Sequence, residues 1–187
     1  SGLAQRSSAS VPKGQVRANE HACYTVISAL RPASYSIPFM PVRGLKVSDL
    51  RRVNDFFAVV TDPFTGETLA AVQAIRPDFA IVHAQTADAN GNACFEGPLY
   101  EDVLLSRAAK RVIVTAERIV GDGWFSASEQ KADIPHFMTA AVVHVPRGAS
   151  PCACYGYYEP NDSLIRAFLA LDSREALLDF VQGRKEP

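Results

Sequence analysis

The stretch 99–115, LYEDVLLSRAAKRVIVT, decides how this chain folds. Leu99, Val103 and Leu104 recur at helical spacing, so residues 99–109 read as a helix. Arg111 to Thr115 follows at once as a β-branched run of the kind that forms a buried strand. A helix feeding directly into a buried strand is the signature of a crossover in an α/β sheet. Working outward, Leu69–Val72, Phe79–Ala84 and Met138–Val145 are further short apolar runs, the second entered through Arg76-Pro77-Asp78 and the third ended by Pro146-Arg147-Gly148, and all read as buried strands. Phe56–Val60 is another, and Asp62-Pro-Phe-Thr-Gly66 after it places proline and glycine where a turn needs them. The fold expected is α/β: an open, mostly parallel sheet with flanking helices.

Toward the amino end, Cys23, Val26, Ile27 and Leu30 fall on one helical face, predicting a helix that ends near Pro32 with Asn19 as its N-cap and Glu20 in its first turn. Pro38 and Pro41 bracket Phe39 and Met40 in what reads as a shaped loop carrying two large apolar side chains. At the other end, Leu164, Ile165, Phe168 and Leu169, then Leu177, Leu178 and Val181, predict two short closing helices. With no internal repeat or low-complexity linker, residues 1–187 are expected to form a single domain, with 1–12 frayed.

Composition excludes several function classes. The formal net charge of -1 and a charged fraction of 21% offer no electrostatic reason for nucleic acid or an acidic membrane as partner. The Arg51-Arg52 and Arg184-Lys185 pairs read as solvated surface. No run approaches the ~20 apolar residues of a membrane span, and no leader opens the chain, so a soluble protein is expected. Four scattered cysteines, Cys23, Cys94, Cys152 and Cys154, have neither the density nor the spacing of a disulfide framework, which points to a reducing, cytoplasmic setting. Cys152-x-Cys154 lacks the second ligand pair of a zinc site, so no metal is expected.

The self-sufficient catalytic signatures are missing: there is no G-x-S-x-G elbow, P-loop, H-E-x-x-H or strand-linked G-x-G-x-x-G. What remains is a collinear series of turn and strand motifs. Asp62-Pro-Phe-Thr-Gly-Glu67, Arg76-Pro-Asp-Phe-Ala-Ile-Val-His-Ala-Gln85 and Ala87-Asp-Ala-Asn-Gly-Asn-Ala93 resemble the central block of family I coenzyme A transferase alpha subunits of the glutaconate CoA-transferase type. Ile37-Pro-Phe-Met-Pro-Val42 resembles the block before it. Ala109 to Val120, Ile134-Pro135 and Gly148 to Tyr158 are similar to the later blocks.

This resemblance implies an enzyme active as an alpha/beta hetero-oligomer. A beta-subunit glutamate attacks an acyl-CoA thioester, CoA thiolate opens the mixed anhydride, and a glutamyl-CoA thioester passes CoA onward to an acid. The alpha subunit supplies pocket walls and polar groups that stabilise the oxyanion. Coenzyme A thioester is then a substrate, and no permanent cofactor is implied. The family's opening strands, helices and glycine-rich turns have no counterpart here, so an unpaired sheet edge and uncovered apolar surface are expected, completed by another chain or missing because this is a fragment.

A related ring-cleaving hydrolase branch implies a catalytic role for Glu20, beside the alternative that Glu20 merely sits at a helix start. Phe39, Met40, Arg43 and Tyr155 are the candidate substrate-binding residues; for Arg43 a surface salt bridge is the competing reading. Glu117, read as following a strand, lies where α/β sheets place ligands. His83, inside an apolar run, reads as a hydrogen-bonded core histidine, and Asp88-Ala-Asn-Gly-Asn92 as turn chemistry. Two alternatives to the transferase stay open: a ring-cleaving CoA-thioester hydrolase subunit and a non-enzymatic ligand-binding member of the fold.

Overall fold

The computed structural model describes residues 19–45 and 48–183. The expected frayed segment 1–12 and the pair Arg184-Lys185 lie outside them. The chain divides into two compact units, whose described parts are residues 19–148 and 149–183.

Unit 19–148 opens with helix α1 (Cys23–Ser34). Its buried face differs from the one the apolar spacing predicts: Thr25, Ser28, Ala29, Leu30, Pro32 and Ala33 are buried, whereas Cys23 and Val26 face solvent. Small residues win this face because they allow close approach. Their hydroxyls bond within the helix, Thr25 Oγ1 to Ala22 O at 2.9 Å and Ser28 Oγ to Tyr24 O at 2.7 Å, so burial strands no donor. The helix begins later than expected. Its N-cap is Ala22, with no side-chain cap, and Asn19 and Glu20 precede it. Pro32 sits inside the last turn, and the helix runs two residues past it to Ser34.

Strand β1 (Phe39–Val42) replaces the loop expected around the two prolines. Pro41 is tolerated because β1 is an edge strand, paired on one side only in the antiparallel sheet ordered β1-β3-β2, where one missing donor costs little. After the short helix α2 (Leu50–Val53), β2 (Phe57–Thr61) and β3 (Thr68–Gln73) form a hairpin. Its turn is the predicted one: Asp62 accepts from Phe64 N at 3.0 Å and from the Thr65 hydroxyl at 2.6 Å, and Gly66 takes the positive φ of 73°.

The second sheet has the order β5-β4-β6-β7, from β4 (Phe79–Asp88), β5 (Ala93–Cys94), β6 (Arg111–Val120) and β7 (Thr139–His144). β4, β6 and β7 are parallel and only the two-residue β5 is antiparallel, so the mostly parallel α/β sheet expected from the 99–115 stretch is present. Helix α3 (Asp102–Ala108) makes the β4-to-β6 crossover. The short helix α4 (Trp124–Ala127) and a 3₁₀ turn (His136–Met138) lead to β7. One face of this sheet carries the core: Ala80, Val82, Ala84, Val112, Val114 and Ala116 are buried, with Leu105, Phe95 and Met138 packed against them. Leu30 and Ala33 of α1 meet Leu104, Leu105 and Ala108 of α3, while Ala29 joins the core of the antiparallel sheet. α1 therefore ties the two sheets together.

Unit 149–183 holds a tight turn and the two expected helices. Cys154 and Tyr158 pair backbone to backbone around Gly156, at φ 77°, and the Tyr158 hydroxyl accepts from Ala149 N at 3.0 Å. Helices α5 (Asp162–Ala170) and α6 (Arg174–Gln182) start at side-chain caps: Asn161 accepts from Leu164 N and Ser173 from Ala176 N. Phe168 and Phe180 join them, ring centroids 5.7 Å apart. Among the described residues, no helix is long and apolar enough to cross a membrane.

Candidate functional site

The parallel register sets His83 of β4 beside Thr115 of β6, with Glu117 two residues further on and so on the same face. His83 Nδ1 lies 2.8 Å from Thr115 Oγ1, and Nε2 lies 2.8 Å from Glu117 Oε1. The second carboxyl oxygen, Oε2, accepts from Arg147 N at 2.7 Å. That bond fixes the loop after β7, where Arg147 adopts a left-handed φ of 57° that costs a non-glycine residue energy unless its surroundings hold it. Gly148 then passes so close to the imidazole that a Cβ there would come within 2.6 Å of His83 Cε1. His144 Nε2 completes the cluster, 3.1 Å from the Glu117 carbonyl. The Glu117 side chain is only 4% exposed.

This arrangement corrects the sequence reading of Glu117. It does not follow a strand but sits within β6, which runs on to Val120 because the β4 pairing continues past Thr115 to Asp88 and Val120. Chemically, a buried carboxyl group with one oxygen on an imidazole and the other on a backbone N–H is a fastening. Its burial and its two bonds hold it in place within the sheet, away from the open position that attack on a thioester needs. His83 has partners at both ring nitrogens, as its place in an apolar run suggests. The His83–Glu117 pairing itself was not legible in sequence; the one available signal is that both occupy neighbouring parallel strands joined by a single helix.

The other end of β4 is organised by Asp88. Its Oδ1 accepts from Gly91 N and Asn92 N, both at 2.9 Å, and Oδ2 from Asn92 Nδ2 at 2.7 Å. Asn92 Oδ1 in turn accepts from His136 N, and Gly91 O from Thr139 Oγ1 at 2.7 Å. Gly91 has φ 107° and a Cβ there would lie 2.9 Å from Thr139 Cβ, so the Asn-Gly turn is fixed by backbone conformation and contact alike. Cys94, beside it, is buried. Desolvation first, then Asp133 and Glu96, push its thiol up to about 11, which keeps it protonated and unreactive at neutral pH.

The sequence-predicted site residues are dispersed. Glu20 is exposed, and its backbone carbonyl accepts from Asn54 Nδ2 at 2.6 Å. Phe39 and Met40 alternate across β1: Met40 packs into the core with Ala29 and Val42, while Phe39 lines an open, mainly apolar groove of about 340 Å³ with Pro38, Phe56, Val59 and Gln73. Arg43 is 74% exposed and pairs with Glu67 at 2.9 Å. Tyr155 is exposed on unit 149–183.

Residues 24–145 match the coenzyme A transferase family. The chain is 36% identical over 174 residues to the A subunit of 3-oxoadipate CoA-transferase from Pseudomonas knackmussii, a match spanning 90% of this chain and 61% of that one. It is 32% identical over 146 residues to the IpdA subunit of a cholesterol ring-cleaving hydrolase from Rhodococcus jostii, spanning 73% and 49%. Among solved structures, glutaconate coenzyme A-transferase from Acidaminococcus fermentans superposes with a TM-score of 0.85 at 28% identity, covering 95% of this chain and 62% of that chain. A variant of the decarboxylase AibA/AibB gives 0.81 at 34% identity, covering 94% and 64%. The chain thus spans less than two thirds of the length of each of these relatives.

Proposed function

The chain belongs to the coenzyme A transferase family, and from that premise we propose that it forms one side of the acyl-CoA site in the alpha subunit of a cytoplasmic acyl-CoA:carboxylate CoA-transferase, whose beta subunit brings the attacking glutamate. The observation that carries this reading is the collinear match of 90% of the chain to the A subunit of a CoA-transferase. The site chemistry supports the division of labour. The two buried carboxyl groups among the described residues, Asp88 and Glu117, are both spent on holding turns and strands.

In this reading the thioester is attacked by a carboxylate from the partner subunit, CoA thiolate leaves and returns to the resulting anhydride, and the released acid departs before another enters. This chain contributes walls and orientation. Phe39 and its groove present an apolar surface to an acyl chain; Tyr155, exposed on the other unit, is a separate candidate substrate contact. Met40 packs into the core and does not line the groove. Arg43 clamps a substrate carboxylate only by exchanging it for Glu67. Coenzyme A enters and leaves as thioester, and no permanent cofactor is needed.

The similarity to a ring-cleaving hydrolase subunit favours a second reading, in which Glu20 activates water to open a carbon ring of a CoA-thioester substrate. One experiment separates them: co-purify this polypeptide with the protein encoded beside it, supply acyl-CoA with a free acid, and treat with borohydride or hydroxylamine. Transfer predicts CoA exchange between acids and a trapped beta-subunit glutamyl-CoA. Hydrolysis predicts that a cyclic acyl-CoA is opened at a ring carbon–carbon bond with uptake of water, its thioester intact and no CoA exchanged, an activity abolished by Glu20→Gln. Binding of CoA esters with neither outcome identifies a ligand-binding member of the fold.

A further inference from the structure

Arg118 lies on β6 opposite Thr86 of β4, close to the carboxyl ends of the parallel strands, where open α/β sheets receive ligands. Two contacts hold its guanidinium. Nη2 donates to Thr86 Oγ1 at 3.0 Å, and the central carbon stands over the Trp124 ring, 5.8 Å from its centroid. Thr86 is fully buried, and Trp124 packs edge-on against Phe125 at 4.9 Å.

Arg118 is nevertheless exposed, and no carboxylate pairs with it among the described residues. Arg43, Arg52 and Lys110, by contrast, each have an acidic partner. Of the acidic groups around this end of the sheet, Asp88 is directed into its own turn, Asp122 toward Asn90 Nδ2 and Asp133 toward Phe95 N, while Glu96, which like Arg118 acts on Cys94, forms no ion pair with the guanidinium. A guanidinium has five N–H donors in a rigid fork. Here one edge is anchored and part of the ordering cost of the side chain is already met, while the exposed guanidinium has no ion pair among the described residues.

We propose that Arg118, pre-positioned by Thr86 and Trp124, binds an oxyanion of the ligand. The class is a carboxylate or phosphate group, which the fork can engage through paired hydrogen bonds. This rests on the CoA-transferase reading for the source of the oxyanion: either the free carboxylate of the acid substrate or a phosphate of coenzyme A.

Trp124 is the single tryptophan of the chain, so its fluorescence reports on the site directly. The full chain is titrated with succinate or glutarate in one arm and adenosine 3′,5′-bisphosphate in the other, each against sodium chloride of equal ionic strength. A saturable change in emission with one probe is expected, absent with chloride; the responding arm identifies the source. Arg118→Gln weakens that binding roughly tenfold or more, because charge-assisted hydrogen bonds are lost. Arg118→Lys, which keeps the charge and the stem, retains part of it. Thr86→Val, which frees one edge of the fork, weakens it a few-fold.

Absence of saturation with both probes overturns the proposal, as does binding by both Arg118 variants within twofold of the parent. The titration involves no turnover. Loss of the transferase reading therefore shows as missing CoA exchange with this binding intact, and failure of the Arg118 proposal shows as CoA exchange with no fluorescence response.

Discussion

The two faces of the parallel sheet are built from the same apolar residue types and end up in opposite environments. Ala80, Val82, Val112 and Val114 point to one side, where α3 and Met138 close over them. Phe79, Ile81, Ile113 and Val143 alternate with them on the other side, where Ile81 is 68% and Val143 45% exposed. Parallel sheets usually have both faces covered. An apolar sequence on both sides thus records that both faces suit burial, whereas the described residues bury only one. The open face is organised differently: its fixed points are polar, the His83, Thr115 and Glu117 cluster that ties β4, β6 and the loop after β7 together.

The largest effect that sharpens this contrast comes from placing a charge on each face in turn. Val114→Asp buries an unpaired carboxylate and is expected to cost about 4 kcal/mol or more, whereas Ile81→Lys on the open face should change stability by no more than about 0.5 kcal/mol. Urea denaturation of the two variants measures the difference. Equal losses break the comparison.

A smaller but still clear effect is expected at the polar cluster. Glu117→Ala removes the hydrogen-bond partner of His83 Nε2 and the acceptor of Arg147 N–H, and should cost about 2 kcal/mol, the range for leaving a buried polar group without its partner. Because the loop after β7 is held through the same carboxyl group, amide hydrogen exchange at Arg147 and Gly148 should accelerate more than at Val112 and Val114.

The smallest effect lies away from both faces, in the β2–β3 turn. The Thr65 hydroxyl, followed by the Phe64 N–H, holds the Asp62 carboxyl below the ordinary carboxylate range. A folded value below the unfolded one means that the contribution is present above the unfolded pKa and is lost as pH falls through the folded value. Asp62→Asn should therefore lower stability slightly at neutral pH, where the ionised carboxyl contributes, and leave it nearly unchanged below the folded value, flattening the acid-side decline. Thermal melts of both proteins at acid and neutral pH check this, and a larger change at acid than at neutral pH contradicts it.

Much of the scaffold was legible. The helix-to-strand junction at residues 99–115 implied the crossover, the Asp62–Gly66 and Asp88–Asn92 turns announced themselves through residues that favour turn geometry, and the tail helices followed from spacing alone. Two elements misled. β1 was obscured by its prolines, which are costly inside a sheet and tolerable at its edge, and edge position is a property of the finished sheet. The buried side of α1 was misassigned because Thr25 and Ser28 are polar by type yet satisfied in place. At the site, Arg43 had two open readings, and only the fold showed Glu67 within reach. The pairing of His83 with Glu117 and the setting of Arg118 between Thr86 and Trp124 left no local trace.

By itself, then, the sequence determined the kinds of element, the turns between them and the family to which their order corresponds, because those depend on backbone preferences and on periods a few residues long. Only the tertiary structure decided which face of each element is covered and which polar side chains meet across strands, because those depend on register between segments some thirty residues apart, as His83 and Thr115 are.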